Sequence, residues 1–145
     1  MIALLQRVSE AEVRIAGESV GRIGRGLLVF AAVHRDDEPR DIKRLAQRIL
    51  GYRLFPDDSG RMNLSLLDTG YGLLLVPQFT LTADTQKGMR ASFTRGAAPQ
   101  VAEDYFLKLV EACRATLAQV ECGRFGADMQ VSLINDGPVT FWLES

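Results

Sequence analysis

The longest apolar run of the chain, residues 26–33, constrains the fold more than any other feature. It consists of Gly-Leu-Leu-Val-Phe-Ala-Ala-Val, with no alternation between polar and apolar positions. Unbroken apolar runs are typical of strands covered on both faces, whereas strands with one solvated face alternate. The run is also far shorter than the ~20 residues that a membrane-spanning helix needs. It therefore predicts a central strand with other elements packed on both sides.

Further strands are predicted before and after this run. β-prone residues recur between turn-forming residues, as expected for short strands. They lie at residues 2–8, 12–15, 20–23, 63–67, 72–76, 129–134 and 139–143. The last two segments flank the Gly137-Pro138 pair, so we predict that this pair lies between two separate strands.

Two main helices are predicted from the spacing of apolar residues. The first has Pro39 in its first turn and either Asp36 or Asp37 as its cap. The second opens at Pro99. The apolar stripe of the first comprises Ile42, Leu45, Ala46, Ile49 and Leu50, and that of the second comprises Ala102, Phe106, Leu109, Val110, Cys113, Leu117 and Val120.

The composition excludes several classes of protein. The chain is 47% apolar and 24% charged with a net charge of -1, so it has no global attraction to polyanions, and any contact with nucleic acid must be local. Two cysteines without a CxxC spacing and a single histidine do not make a recognisable zinc set. The first residues lack the basic n-region and cleavage site of a secretion signal. We therefore expect one domain over residues 1–145 in a reducing cytosol.

Two short motifs and one loop carry the functional signal. Residues 135–140 are Asn-Asp-Gly-Pro-Val-Thr, and residues 77–81 are Pro-Gln-Phe-Thr-Leu at the end of a predicted strand. A Gly-Pro pair fixes the backbone, which suggests recognition by main-chain groups, although it is also common in ordinary turns. Residues 84–97 form a predicted long loop with Lys87, Arg90, Phe93 and Arg95, which is either a solvated connector or a site for a phosphate and a base.

The two motifs resemble the signature motifs of the D-aminoacyl-tRNA deacylases. The likeness extends in order along the chain, through residues 1–8, 51–53, 62–64, 88–90, 123–125 and 127–133, which resemble the bacterial form. The resemblance implies a D-aminoacyl-tRNA deacylase-like α/β fold: a single domain with a layered mixed sheet and two main helices. The order of strands and helices predicted above agrees with this fold.

The resemblance also implies an activity. Members of the family are homodimeric cytosolic enzymes that hydrolyse the ester between a D-amino acid and the terminal ribose of tRNA and reject L-aminoacyl-tRNA. They use no metal or other cofactor, and their partners are the aminoacylated 3′ end of tRNA and a second copy of the chain, not DNA or a membrane. In the family the Gly-Pro peptide is cis and enters the active site of the partner subunit. Gly137 and Pro138 are therefore the implied chiral filter.

The resemblance assigns catalysis largely to main-chain groups. Backbone N–H groups near Gln78, Phe79 and Thr80 are expected to face the reacting carbonyl, while water attacks with help from the neighbouring ribose hydroxyl. The Thr80 hydroxyl is the alternative nucleophile or helper, and we favour the ribose because no residue near Thr80 in the sequence would activate it. Arg7 is a candidate for holding the incoming Gly137-Pro138 carbonyls of the partner subunit, and the alternative is a surface salt bridge at a strand end.

Further expectations concern the substrate pocket. Phe125 and Met129 either line a pocket for the terminal adenosine or the amino acid, or simply pack in the core. Rejection of an L side chain by a clash predicts some activity on glycyl-tRNA, since glycine has no side chain to exclude.

One departure from the family is Pro77, where a serine is usual. Proline has neither a hydroxyl nor an N–H, so residue 77 can contribute to neither an oxyanion hole nor proton transfer. Two other functions remain open from the sequence. One is a non-catalytic module that binds an RNA end or a nucleotide, and the other is a small esterase with Thr80 as nucleophile.

Overall fold

The computed structural model describes all residues, 1–145, as a curled mixed sheet with helices packed on one of its faces. β1 pairs antiparallel with β2, β3 and β8, whereas β3–β6 and β6–β7 are parallel. The elements in chain order are β1 (Ile2–Ile15), β2 (Glu18–Ile23), β3 (Gly26–Ala32), α1 (Pro39–Gly51), β4 (Phe55–Pro56), β5 (Met62–Leu64), α2 (Leu66–Thr69), β6 (Gly72–Pro77), a 3-10 helix (Phe79–Thr82), α3 (Pro99–Arg114), β7 (Val120–Cys122) and β8 (Gln130–Glu144). The predicted α/β class with a mixed sheet and two main helices is confirmed.

The predicted central strand is β3. It lies between β1 and β6, and its residues alternate between two cores. Leu27 and Val29 face a core of 25 buried residues that includes α1 and α3, while Leu28 faces a second core of 7 buried residues. The unbroken apolar run is thus explained by cover on both faces.

The second core exists because β2 folds back across the sheet. A Cβ atom placed on Gly21 of β2 would lie 3.2 Å from the Leu74 side chain of β6 and 3.3 Å from the Cys122 carbonyl of β7. The sheet is therefore nearly closed, and only a glycine allows so close an approach without movement of its neighbours.

The helical stripes are confirmed with one change. All five apolar residues predicted for α1 are buried, as are the predicted residues of α3 as far as Cys113. Burial raises the pKa of the Cys113 thiol to about 12, so this side chain belongs to the core and not to reactive chemistry. Leu117 and Val120 are buried too, but α3 ends at Arg114, so they follow the helix. No helix of the structure combines the length and apolarity that crossing a membrane requires.

Three strand predictions were wrong. Residues 2–8 and 12–15 belong to one strand, β1, because β8 pairs with it as far as Arg14. Residues 129–134 and 139–143 lie, apart from Met129 itself, in the single strand β8, so Gly137-Pro138 is inside a strand. Residues 63–67 divide between β5 and the short helix α2, because the Ser65 hydroxyl accepts from the Asp68 N–H at 3.2 Å and starts a helical turn.

The predicted cap of α1 was also wrong. Glu38 is the residue before the helix, and its N–H donates to the Asp41 carboxylate at 2.8 Å. Asp37 instead accepts from the Met1 ammonium at 2.5 Å and from the His34 N–H at 2.6 Å. Its carboxylate is thus occupied in tying the end of β3 to the start of β1.

We predict that Gly26 is essential for the β3–β6 pairing. Gly26 stands opposite Gly72, and a Cβ on Gly26 would lie 1.9 Å from the Gly72 carbonyl oxygen. Because backbone must then move within the core, Gly26→Ala should lower the free energy of unfolding by at least about 2 kcal/mol in urea titrations. Gly24→Ala is the matched control, since nothing lies within 4 Å of its Cβ position. Equal unfolding midpoints for the two variants would contradict this packing.

Candidate active site

A cleft opens where the parallel strands β3 and β6 end. Open α/β sheets commonly bind ligands at the carboxyl ends of their strands. The cleft has a volume of about 120 Å³, below the ~300–1,000 Å³ range of drug-sized ligand sites. Its lining is mainly apolar and comprises Ala31, Ala32, Val33, Pro77, Gln78, Phe79, Thr82, Phe93, Gly96, Ala97, Ala102, Phe106 and Phe125.

The first motif forms one wall of this cleft through its backbone. β6 ends at Pro77, and the chain then turns into the 3-10 helix that begins at Phe79. The buried Thr82 hydroxyl donates to the Phe79 carbonyl at 2.8 Å and closes this turn. Thr82 was not singled out from the sequence, where a threonine after the motif gives no distinctive signal.

The main-chain donors of the motif differ from one another. The Gln78 N–H donates to the Ala31 carbonyl at 2.8 Å and so continues the pairing of β6 with β3. The N–H groups of Phe79 and Thr80 donate to no group of the protein. The donor role expected of all three residues can therefore fall only to Phe79 and Thr80. The Gln78 N–H is already used in the pairing of β6 with β3.

The Thr80 hydroxyl has no basic partner. It accepts from the Gln78 side-chain amide, which cannot remove its proton. The lone histidine, His34, is bonded elsewhere, with Nδ1 3.4 Å from the Arg95 carbonyl oxygen. No three His, Cys, Asp or Glu side chains are grouped as a metal site would require. The groups of this site that could act on a substrate are therefore backbone N–H groups and not an activated side chain.

Aromatic side chains flank the exposed backbone donors. Phe79 and Phe93 are 59% and 44% exposed, and their ring centroids lie 5.2 Å apart in a tilted arrangement. Phe125 lines the same cleft while also packing against the main core. Met129 lines an adjoining cleft with Pro77 and packs against the second core. The two alternatives for Phe125 and Met129, pocket and core, thus both describe part of their surroundings.

In the second motif, residues 136–139 leave the regular pairing of β8 with β1, and we call this segment the excursion. Gln6 pairs with Thr140 and Val8 pairs with Asn135, so residues 136–139 all stand opposite Arg7 alone. Gly137 and Pro138 are exposed at the crest of this excursion, and the peptide between them is cis. Gly137 has a φ of 140°, a backbone conformation that favours glycine.

Two side chains hold the base of the excursion. The Asn135 amide donates to the carbonyls of Arg7 and Val139, at 2.9 and 3.0 Å, and so bridges the strands. Arg7, whose side chain is only 12% exposed, donates from Nε to the Asp136 carbonyl at 3.0 Å and from Nη1 to the Leu54 carbonyl at 2.7 Å. Arg7 donates to neither the Gly137 nor the Pro138 carbonyl of its own chain, and its role in holding the incoming carbonyls of a second copy stays a prediction. Asn135 belongs to the motif, but its bridging role could not be derived from sequence because it depends on the register with β1.

The two motifs do not meet within the chain. The clefts that Gln78 and Phe79 line include neither Gly137 nor Pro138. The excursion instead lies beside Arg7 and Leu54.

The comparisons with known proteins agree across the chain. Residues 4–144 match the family model described as D-Tyr-tRNA(Tyr) deacylase. A D-aminoacyl-tRNA deacylase of Alkalilimnicola ehrlichii is 61% identical over 145 residues, which cover 100% of this chain and 97% of the relative. One from Thioalkalivibrio sulfidiphilus is 62% identical over 144 residues, covering 99% and 97%.

A solved structure shares the fold of this chain over its whole length. The structure titled c-Myc DNA Unwinding Element Binding Protein superposes with a TM-score of 0.95 at 37% identity and covers 100% of this chain and 99% of its own. The family match spans nearly all of the sequence, and both motifs lie inside it. The chain therefore belongs to the D-Tyr-tRNA(Tyr) deacylase family.

Proposed function

We propose that this protein hydrolyses the ester bond of D-aminoacyl-tRNA, releasing the amino acid and the tRNA. The enzyme is a hydrolase acting on the aminoacyl-tRNA ester bond, as its relatives are named. The observation that carries the proposal is the pair of unpartnered N–H groups at Phe79 and Thr80 beside the cleft at the carboxyl ends of β3 and β6. Such donors suit an ester carbonyl whose oxygen becomes negative in the transition state.

The reaction requires little from side chains. Water attacks the carbonyl carbon, the carbonyl oxygen takes the negative charge, and the bond to the ribose oxygen then breaks as that oxygen gains a proton. An aminoacyl ester is already activated, so orientation and stabilisation of the oxyanion provide much of the acceleration. The adjacent ribose hydroxyl is the proposed helper of the attacking water, since Thr80 has only an amide as partner.

The direct test compares esters that differ at the α-carbon. The protein should hydrolyse D-tyrosyl-tRNA, spare L-tyrosyl-tRNA, and retain some activity on glycyl-tRNA, because glycine offers no side chain to exclude. The measurement is loss of radiolabelled ester at matched enzyme concentrations. If the protein hydrolyses none of the three esters, a module that only binds RNA ends is favoured. If it hydrolyses D-tyrosyl-tRNA but not glycyl-tRNA, a purely steric filter is refuted.

We predict that the Phe79 N–H matters more than its ring. Phe79→Pro removes the donor at the first position of the 3-10 helix, where proline fits, and Phe79→Ala keeps the donor while removing the ring. Loss of one oxyanion donor lowers kcat by a factor of about 10²–10³. The kcat of Phe79→Pro should therefore be lower than that of Phe79→Ala by this factor. Circular dichroism spectra of both variants control for folding. Equal kcat values would remove this N–H from the mechanism.

Thr80→Ala provides the complementary comparison within the same motif. It removes the hydroxyl but keeps the Thr80 N–H, so kcat should stay within about tenfold of the wild-type value. A loss approaching that of nucleophile removal, on the order of 10⁶, would instead favour the esterase with a threonine nucleophile.

We further propose that the chiral filter acts across a homodimer. Gly137 and Pro138 are exposed and line neither of the clefts that Gln78 and Phe79 line in their own chain, which suits a role in the cleft of a second copy. Their carbonyls would accept from the substrate ammonium and leave no room for an L side chain. The fold supports this by holding the base of the excursion through Asn135 and Arg7.

The free thiols of Cys113 and Cys122 are in keeping with a reducing cytosol, where we place the enzyme.

Mixed dimers test this arrangement. A Cβ on Gly137 would lie 2.7 Å from the Val139 side chain, so Gly137→Ala should displace the filter and lower the ratio of D to L turnover at least about tenfold. In a mixed dimer with a Phe79→Pro chain, the Gly137→Ala subunit contributes an intact cleft and the Phe79→Pro subunit contributes an intact excursion. Because half of the dimers are mixed and each has one complete site, about a quarter of wild-type selective activity should return.

The same mixture also has a clear contrary outcome. If the filter acts within its own chain, no combination of the two variants restores a complete site. Absence of recovery in mixtures whose dimers are verified by tag exchange would therefore contradict the cross-subunit filter.

A further inference from the structure

The 84–95 loop presents an aromatic ring beside the cleft, together with unpaired positive charges. Phe93 packs against Phe79 at the cleft while 44% of its surface stays exposed. Exposure of apolar ring faces to water is unfavourable in free energy. The exposed side of the Phe79–Phe93 pair can therefore accept a further flat group that stacks on it.

The ends of this loop are fixed to the body of the protein. Asp84 and Ser92 exchange two backbone hydrogen bonds, of 2.7 and 3.0 Å, and the Arg95 guanidinium donates to the Asp84 carboxylate at 3.0 Å. The Arg95 carbonyl accepts from the Arg35 N–H, and Ala97 donates to Val33 at the end of β3. Phe93 is therefore held near the cleft by the framework of the loop.

The tip of the loop carries positive charge that nothing in the chain neutralises. Residues 85–91 contain Lys87 and Arg90 but no acidic residue, and neither side chain forms an ion pair or a hydrogen bond in the protein. Asp84, the acidic residue at the base, is already paired with Arg95. The tip thus has a charge of +2 in a protein whose net charge is -1.

We propose that the 84–95 loop binds the unpaired nucleotides that precede the terminal adenosine of tRNA. A base stacks on Phe93, and Lys87 and Arg90 contact the phosphates that link these nucleotides. Aromatic platforms combined with cations are the physical basis of binding to single-stranded nucleic acid. A duplex would present stacked bases with no free face, so the occupant is the single-stranded end. The inference rests on the proposed function, since the ester must lie in the cleft beside Phe79.

Substrates of different length test the stacking. Phe93→Ala should raise KM for D-tyrosyl-tRNA about tenfold with kcat nearly unchanged, because one stacked base is lost. Because Phe93 also lines the cleft, its removal can affect D-tyrosyl-adenosine as well, but the rise in KM for that ester should be several-fold smaller, since it has no preceding nucleotide. Phe93→Trp should restore the wild-type KM, whereas Phe93→Leu, which keeps an apolar side chain against Phe79 without a ring face, should not.

Salt dependence tests the phosphate contacts. Lys87→Ala and Arg90→Ala should each reduce the slope of log KM for D-tyrosyl-tRNA against log salt concentration by about 0.7. Lys43→Ala removes another exposed lysine, from α1 and outside the loop, and should leave the slope unchanged. Equal effects of the Phe93 variants on both substrates, or unaltered slopes in the loop variants, would overturn the inference.

Failure of the proposed function gives a different result. If the wild-type protein hydrolyses neither D-tyrosyl-tRNA nor D-tyrosyl-adenosine, the proposed activity is wrong irrespective of the loop. Fluorescence anisotropy with uncharged tRNA then decides the inference separately. Weaker binding by Phe93→Ala, with Phe93→Trp at the wild-type level, supports it, and identical binding by both variants refutes it.

Discussion

The pairing of β1 with β8 is the interaction on which the rest of the structure depends. β1 hydrogen-bonds to β3 and then β2 along one edge and to β8 along the other, so it links both cores. Every buried backbone group in such a strand needs a partner, which makes any interruption costly. The interruption opposite Arg7 is compensated by the Asn135 amide and the Arg7 guanidinium, which donate to the carbonyls around it. The excursion is consequently hydrogen-bonded at its base while Gly137 and Pro138 stay exposed.

The proposed recognition by main-chain groups fits a candidate site that contains so few reactive side chains. The Phe79 and Thr80 N–H groups are placed by the end of β6 and by the Gln78 N–H bond to Ala31. The sheet therefore sets their position before any substrate binds, which is the preorganisation that electrostatic stabilisation requires. Pro77 fits the same scheme, because it ends β6 with an apolar ring in the cleft and adds no competing donor. A backbone site of this kind has no side chain whose charge depends on pH.

The sequence predicted those parts of the fold that depend on local patterns. The buried stripes of α1 and α3 follow from residue spacing, and β3 follows from an apolar run that only cover on both faces explains. It missed the continuity of β1 and β8, because polar residues such as Glu10 suggest a break and only the distant partner strand maintains the pairing. For the site, it identified the two motifs but not which N–H of the first was already bonded. That distinction depends on a contact with Ala31, 47 residues away in the sequence.

The outer edge of β8 connects the fold to the proposed assembly. β8 has 15 residues and pairs only with β1, so its other edge carries backbone groups with no partner in the chain. Long exposed edges invite association, and here Ile134 and Trp142, 55% and 49% exposed, add apolar surface to the same strand. Pro138 and the excursion around it limit indiscriminate pairing because they interrupt the flat edge. A partner that covered this edge at a fixed register would also carry its own Gly137-Pro138 excursion to a defined position. One strand therefore provides both a surface that favours a second copy and the backbone element that such a copy would receive.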